Sequence, residues 1–243
     1  MRWLAKAFNT IAKQRNLPRH IVEQTVEEML KTNLSIFFGA EVEVCVHDGH
    51  IEAWLFKKHP IPSYIPVQFE DLPKKLIQNL KRLLPLYINE TEADLKYAYW
   101  RTYKHTAIAG TIIRSNDCRV DVELSEYFIS SQIGQMLKPH FVPKEHYKPG
   151  QMMYFYVLKI QRKSGRVNIY LSRNTISLPA AILKRKIPWG DFKCVRRIAG
   201  VRSEIVSSVF LPKEVIREIA QELGEVVIVK QRTKRPADAG LFC

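Results

Sequence analysis

Cysteine is nearly missing from this chain, and the little there is lies far apart. Cys45, Cys118, Cys194 and Cys243 form no C-x-x-C pair, which excludes the usual zinc and dithiol redox motifs. His47 and His50 flank a turn with no further ligand close in sequence, so no metal site is expected there. Glycine is sparse too: only 10 occur, and none falls in a G-x-G-x-x-G or P-loop spacing. With no Ser-His-Asp order and no paired catalytic carboxylates, neither an enzyme nor a cofactor is expected. Long apolar runs are also lacking. The apolar stretches are strand-length, too short for a membrane-spanning helix. Met1-Arg2-Trp3-Leu4 begins a helical pattern without the apolar core and cleavage site of a leader, so a cytoplasmic location is expected.

Acidic residues are scarce relative to basic ones, 24 against 38, which leaves a formal net charge of +14. The excess is uneven: residues 151–243 hold 18 Lys/Arg against 7 Asp/Glu, so +11 of it sits there. A field of this sign favours polyanions. The cations lie between β-like segments and not on a basic amphipathic helix, which points to nucleic acid and away from a membrane face. A hydrophobic content of 46% over 243 residues suits two or three small folded domains.

The apolar spacing divides the chain. Trp3, Leu4, Ala7, Phe8 and Ile11 mark one helix, and Pro18 opens a second with the face Ile21, Val22, Thr25, Val26, Met29, Leu30 and Leu34. Val42, Val44 and Val46 alternate into the Asp48-Gly49 turn, with Ile51, Ala53 and Leu55 returning as a hairpin. Residues 57–70 read as a Pro-rich loop. A short helix then stops at Pro85, and another spans about Asn89 to Arg101. From Lys104 the period changes to two: Thr106 to Arg114, Cys118 to Leu124, Met152 to Ile160 and Val167 to Ser172 read as strands. Ile133 to Lys148 reads as a long connection. About five short strands with one long connection describe an OB-type β-barrel. Leu178 to Lys186 reads as a helix, Lys193 to Ala199 and Arg202 to Val209 as a hairpin about Gly200, Pro212 to Leu223 as a helix, and Val226 to Val229 as a strand.

Several segments resemble the NusA family of bacterial transcription elongation and termination factors. They are Leu17-Pro18-Arg19, Val42-Glu43-Val44, Gly110-Thr111-Ile112, the run Val142 to Gly150, Tyr156-Val157-Leu158 and Ile169-Tyr170-Leu171-Ser172-Arg173. Val195 to Val206 resembles the opening strands of that family's first KH domain, and Glu222 to Val229 resembles its end. The sequence departs from a KH domain in having no G-x-x-G; Val209-Phe210-Leu211-Pro212 runs straight into a single helix, and no second KH domain is expected. The resemblance implies an α+β multidomain chain. Residues 1–101 would form an α/β N-terminal, polymerase-binding domain with a connecting helix, and 102–176 an OB-type five-stranded β-barrel. Residues 177–230 would form a truncated KH-like α/β module, with a basic tail at 231–243. It also implies RNA polymerase and nascent RNA as partners, and a monomer is expected.

RNA contacts are expected where cations interleave with aromatics on the barrel, because phosphates take charge and bases take flat rings. On this reading Tyr154, Tyr156 and Tyr170 are stacking candidates. Alternation sets Tyr170 opposite the Val167, Ile169 and Leu171 face, which makes it the solvent-facing one. Lys104, Arg114, Arg119, Arg162, Lys163, Arg166 and Arg173 are the barrel's phosphate candidates, and His146 in the long connection is a further one. Lys193, Arg196, Arg197 and Arg202 surround the Gly200 hairpin tip and extend the basic surface.

Overall fold

A computed structural model of the chain describes residues 10–47, 50–58, 62–126 and 131–231. The Asp48-Gly49 turn, most of the first predicted helix and nearly all of the basic tail lie outside the described residues. The described residues up to 98, together with 162–167, form one compact unit; the described residues of 99–161 and from 168 onward form a second.

In the first unit residues 10–15 are helical and Pro18 precedes helix α1, Arg19–Phe38. The predicted apolar face is the buried one: Val22, Val26, Met29, Leu30 and Leu34. Gly39 ends α1 in the left-handed conformation, donating its N–H to the Ser35 carbonyl. Strand β1, Val42–His47, pairs antiparallel with β2, His50–Lys57, in the register Val44↔Ala53. A third strand, β3, Ser63–Pro66, lies along β2 inside the segment read as a loop. Pro66 ends it, and such a proline is tolerated because β3 is an edge strand.

Helix α2, Lys74–Arg101, is continuous through Pro85, where two helices were expected. Leu80, Leu84 and Ile88 sit one turn apart on both sides of the proline, and all three are buried. Burying three such side chains stabilises by about 1.5–3 kcal/mol each, which outweighs the ~3 kcal/mol penalty of an interior proline.

Five strands close a barrel, which belongs to the second unit apart from residues 162–167: β4, Ala107–Ser115; β5, Arg119–Leu124; β6, Ile133–Leu137; β7, Met152–Lys163; and β8, Arg166–Ser172. Their order round the barrel is β4-β5-β6-β8-β7, with β6 parallel to β8. This is an OB-type Greek-key barrel, as expected. Its interior is filled by Ile108, Ile112, Val120, Val122, Met136, Phe155, Val157, Ile169 and Leu171. Strand β6 lies in the predicted connection. A Cβ on its Gly134 would come within 2.6 Å of the Leu171 side chain, so the strand's glycine is what lets it close against β8.

Beyond the barrel follow α3, Leu178–Lys186; β9, Phe192–Ile198; β10, Arg202–Ser207; α4, Lys213–Leu223; and β11, Val226–Gln231. The sheet order is β11-β10-β9; β10 runs antiparallel to β9 and parallel to β11. Among the described residues this small α/β module shares its core with the barrel's flank. Ala107 and Tyr156, on the outer surface of β4 and β7, are buried in one cluster with Leu178, Ile182, Ile205, Ile219 and Leu223.

Candidate nucleic-acid interface

The strongest charges proposed for RNA turn out to be internal. Arg173 follows β8 and is 0% exposed. Its Nε and Nη2 donate to the Glu145 carboxylate at 3.0 and 2.5 Å, and its Nη1 donates to Tyr154 O at 2.7 Å and Glu222 Oε1 at 2.8 Å. Nη2 also donates to Glu222 O at 3.0 Å. Burial disfavours the guanidinium charge, but the two carboxylates more than offset it and raise the Arg173 pKa above its ordinary value. Arg173 is therefore a tie between barrel and module, not an RNA contact.

Arg197 has the same character. Its side chain is buried on β9, where Nε and Nη2 reach Glu225 at 3.0 and 2.6 Å and Nη1 donates to Arg173 O at 2.8 Å. Glu225 also accepts the Gly200 N–H at 2.9 Å and the Ser203 hydroxyl. Burial alone would raise the Glu225 pKa; Arg197, Ser203 and the Gly200 N–H reverse that and hold it below the ordinary carboxylate value. The expected phosphate-binding hairpin tip is thus pinned from inside by one of its own arginines. Arg196, Arg202 and Lys193 remain exposed, with Arg202 3.0 Å from Glu204.

Tyr154 and Tyr156 point out of the barrel as alternation requires, but the surface they reach is covered. Tyr156 is buried in the shared cluster and Tyr154 packs against it. Tyr156 presents no face to a base, and Tyr154 is half-buried against the same cluster. Tyr170 is different: it lies on the outer surface of β8 opposite Gln135 of β6, half-buried, while Ile169 and Leu171 on either side are fully internal.

The remaining barrel cations are spread out. Arg119 is exposed but bound to Asp121, with Nε and Nη2 donating at 2.6 and 2.8 Å. Arg114 and Lys104 are exposed. Arg162, Lys163 and Arg166 surround the β7–β8 turn, where Arg162 makes ion pairs with Glu90 at 2.5 Å and Asp94 at 2.7 Å. Lys163 and Arg166 are exposed at the same turn.

His146 is exposed and belongs to a feature the sequence reading missed. A groove of about 610 Å³ at the β4–β5 turn is lined by Asn116, Lys138, Phe141, His146, Tyr147 and Lys148, among others. The Phe141 and Tyr147 rings lie 5.1 Å apart. Tyr147 donates its hydroxyl to Glu145 and accepts the Val142 N–H, both at 2.9 Å. Burial and the Glu145 charge raise its pKa, so the phenol stays protonated. Three basic side chains beside aromatic rings, on the barrel that also carries Tyr170, can take phosphates and an unpaired base. The sequence signal was the cluster of Lys, His and aromatic residues in 138–148, hidden because the segment reads as a plain loop.

Fold and site together define an α+β protein built on an OB-type barrel that is joined through a shared core to a small α/β sheet module. No family model matches the chain. It is 26% identical over 148 residues to the transcription termination/antitermination protein NusA of Thermus thermophilus, a match that covers 58% of this chain and 36% of NusA. The chain thus matches about a third of that relative's length. Among solved structures it is similar to a chain in the crystal structure of the a/eIF2alpha–aDim2p–rRNA complex from Pyrococcus horikoshii, at 19% identity and a TM-score of 0.27, covering 34% of this chain and 52% of that one. No described helix is long and apolar enough to cross a membrane.

Proposed function

We propose that this chain is a NusA-like RNA-binding protein that works with RNA polymerase in the cytoplasm, as a monomer and without catalysis. The observation that carries the reading is the OB-type barrel sharing one core with the α/β module, in a chain with distant similarity to NusA. The order α3-β9-β10-α4-β11 supports a KH-like module that lacks one helix and its G-x-x-G loop. RNA would lie across the outer surface of β5, β6 and β8, with Tyr170 as the stacking ring and the groove at Lys138, His146 and Lys148 as the phosphate end. The helix and three-stranded sheet of the first unit would be the polymerase-facing part. Counterion release at these cations would supply most of the affinity, so binding should weaken steeply as salt rises.

The test is a pull-down of core RNA polymerase on the tagged full chain, with binding of a fluorescein-labelled single-stranded RNA measured in parallel. Retention of both is expected. RNA binding without polymerase would refute the transcription half and leave an independent RNA-binding protein; loss of both would refute the whole reading.

A further inference from the structure

Two large aromatic side chains stand in solvent at one end of the α/β module, and nothing in the barrel interface uses them. Trp189 is 77% exposed and Phe210 is 78% exposed. One follows α3 and the other precedes α4, yet their loops are tied together. The Asp191 N–H donates to the Ser208 hydroxyl at 2.9 Å, and the Ser208 N–H returns to Asp191 O at 3.0 Å. Each aromatic lies two residues outside that bridge. The loops are also stiff. A Cβ at Gly190 would come within 2.3 Å of the Phe192 ring and 3.0 Å of Val209, so the backbone there is packed tight. Lys184 donates to Gly190 O at 3.0 Å, and Ser207 Oγ donates to Val209 O at 2.6 Å. A rigid scaffold that holds two rings in water has already met the ordering cost that binding usually imposes.

The surroundings are basic. Lys184, Arg185, Lys186, Lys193, Lys213 and Arg217 lie within a few residues of the two rings, against Asp191, Glu214 and Glu218. Arg185 is taken by Glu126, and Lys186 by Glu218 at 2.6 Å. Among the described residues Lys193, Lys213 and Arg217 make no ion pair, which leaves three cations available to phosphate. Flat exposed rings with free cations beside them match single-stranded nucleic acid, which offers a π-face at every base and a charge at every phosphate. An acidic protein surface would use the cations but has no particular need of two rings.

We infer that Trp189 and Phe210 form a second base-stacking platform for single-stranded RNA, with Phe210 in the loop before α4 where this module has no phosphate-clamping glycines. The inference rests on the RNA-binding reading above. It adds a site on the module, separate from Tyr170 on the barrel, which lengthens the RNA the chain can hold.

The test uses the full chain and a fluorescein-labelled single-stranded RNA, with an abasic oligonucleotide of the same length as a second probe. The double variant W189A/F210A should bind the RNA at least about fivefold more weakly, the lower bound for a lost stacked base. The same substitutions should leave the weaker binding of the abasic probe unchanged, and W189F/F210Y should restore RNA affinity. Because both side chains are exposed, thermal melting should match the parent. If the parent binds RNA and W189A/F210A binds it equally well, the platform is refuted while the RNA reading stands. If the double variant keeps RNA and loses retention of RNA polymerase, the rings dock protein and the inference is overturned. If the parent binds no RNA, both fall.

Discussion

Replacing Arg173 by Leu separates a structural arginine from a nucleic-acid contact. The substitution removes five hydrogen bonds and leaves the Glu145 and Glu222 side chains, 13% and 24% exposed, facing one another across the joint without their cation. Breaking a buried ion pair by deleting one partner costs about 3–5 kcal/mol. The lower end applies here, because Glu145 keeps the Tyr147 hydroxyl and Glu222 keeps the Tyr154 N–H at 2.8 Å. At about 3 °C per kcal/mol for a unit of this size, the melting temperature should fall by roughly 10 °C. Arg173→Lys should fall between, since an ammonium restores charge without the forked geometry. Thermal scanning gives the stability, and fluorescence anisotropy with labelled RNA, well below the transition, gives affinity. Affinity should stay within about twofold of the parent, because the guanidinium reaches no solvent. A variant of parental stability that binds RNA weakly would refute the structural assignment.

Two further outcomes follow from the same geometry. Glu225 is ionised with a pKa held below its ordinary value of 4.5, so its contribution to stability is present above that value and is lost as pH falls through the depressed one; in urea titrations at acid pH, Glu225→Gln should be less stable near neutrality and should lack that part of the acid-dependent loss. Tyr156→Ala should cost about 3 kcal/mol of stability by opening the shared core, whereas Tyr170→Ala should change melting little and weaken RNA binding about fivefold or more; the reverse pattern would show that the two tyrosines have been exchanged in role.

Elements whose signal is local were legible in the sequence. Leu178–Lys186 has the predicted bounds, and β4, β5, β7 and β8 all announce themselves by alternation. Strand β6 did not, because five residues with a glycine second among them carry little periodicity and its reason for pairing with β8 lies thirty-odd residues away. Helix α2 was misread at Pro85 because the local penalty is visible in sequence while the burial that overrides it is not. The site was less legible than the fold. Tyr154 and Tyr156 were read as stacking candidates from residue type, yet residue type says nothing about what lies over a surface. Arg173 and Arg197 look like any other cations in a basic stretch until Glu222 and Glu225, 49 and 28 residues on, arrive beside them. Residue type set the chemistry available, and long-range packing decided which of it stayed in water.

The covered flank of β7 also governs how this chain can be handled and inherited. A fragment ending at Ser172 would leave Tyr154, Tyr156 and Leu158 bare on one side of the barrel, an apolar strip of the kind that drives self-association. It would also lose Arg173 and strand Glu145. The barrel is therefore no portable cassette: expression trimmed at that point should give insoluble material, and recombination that moves the strands must carry α3 and α4 with them.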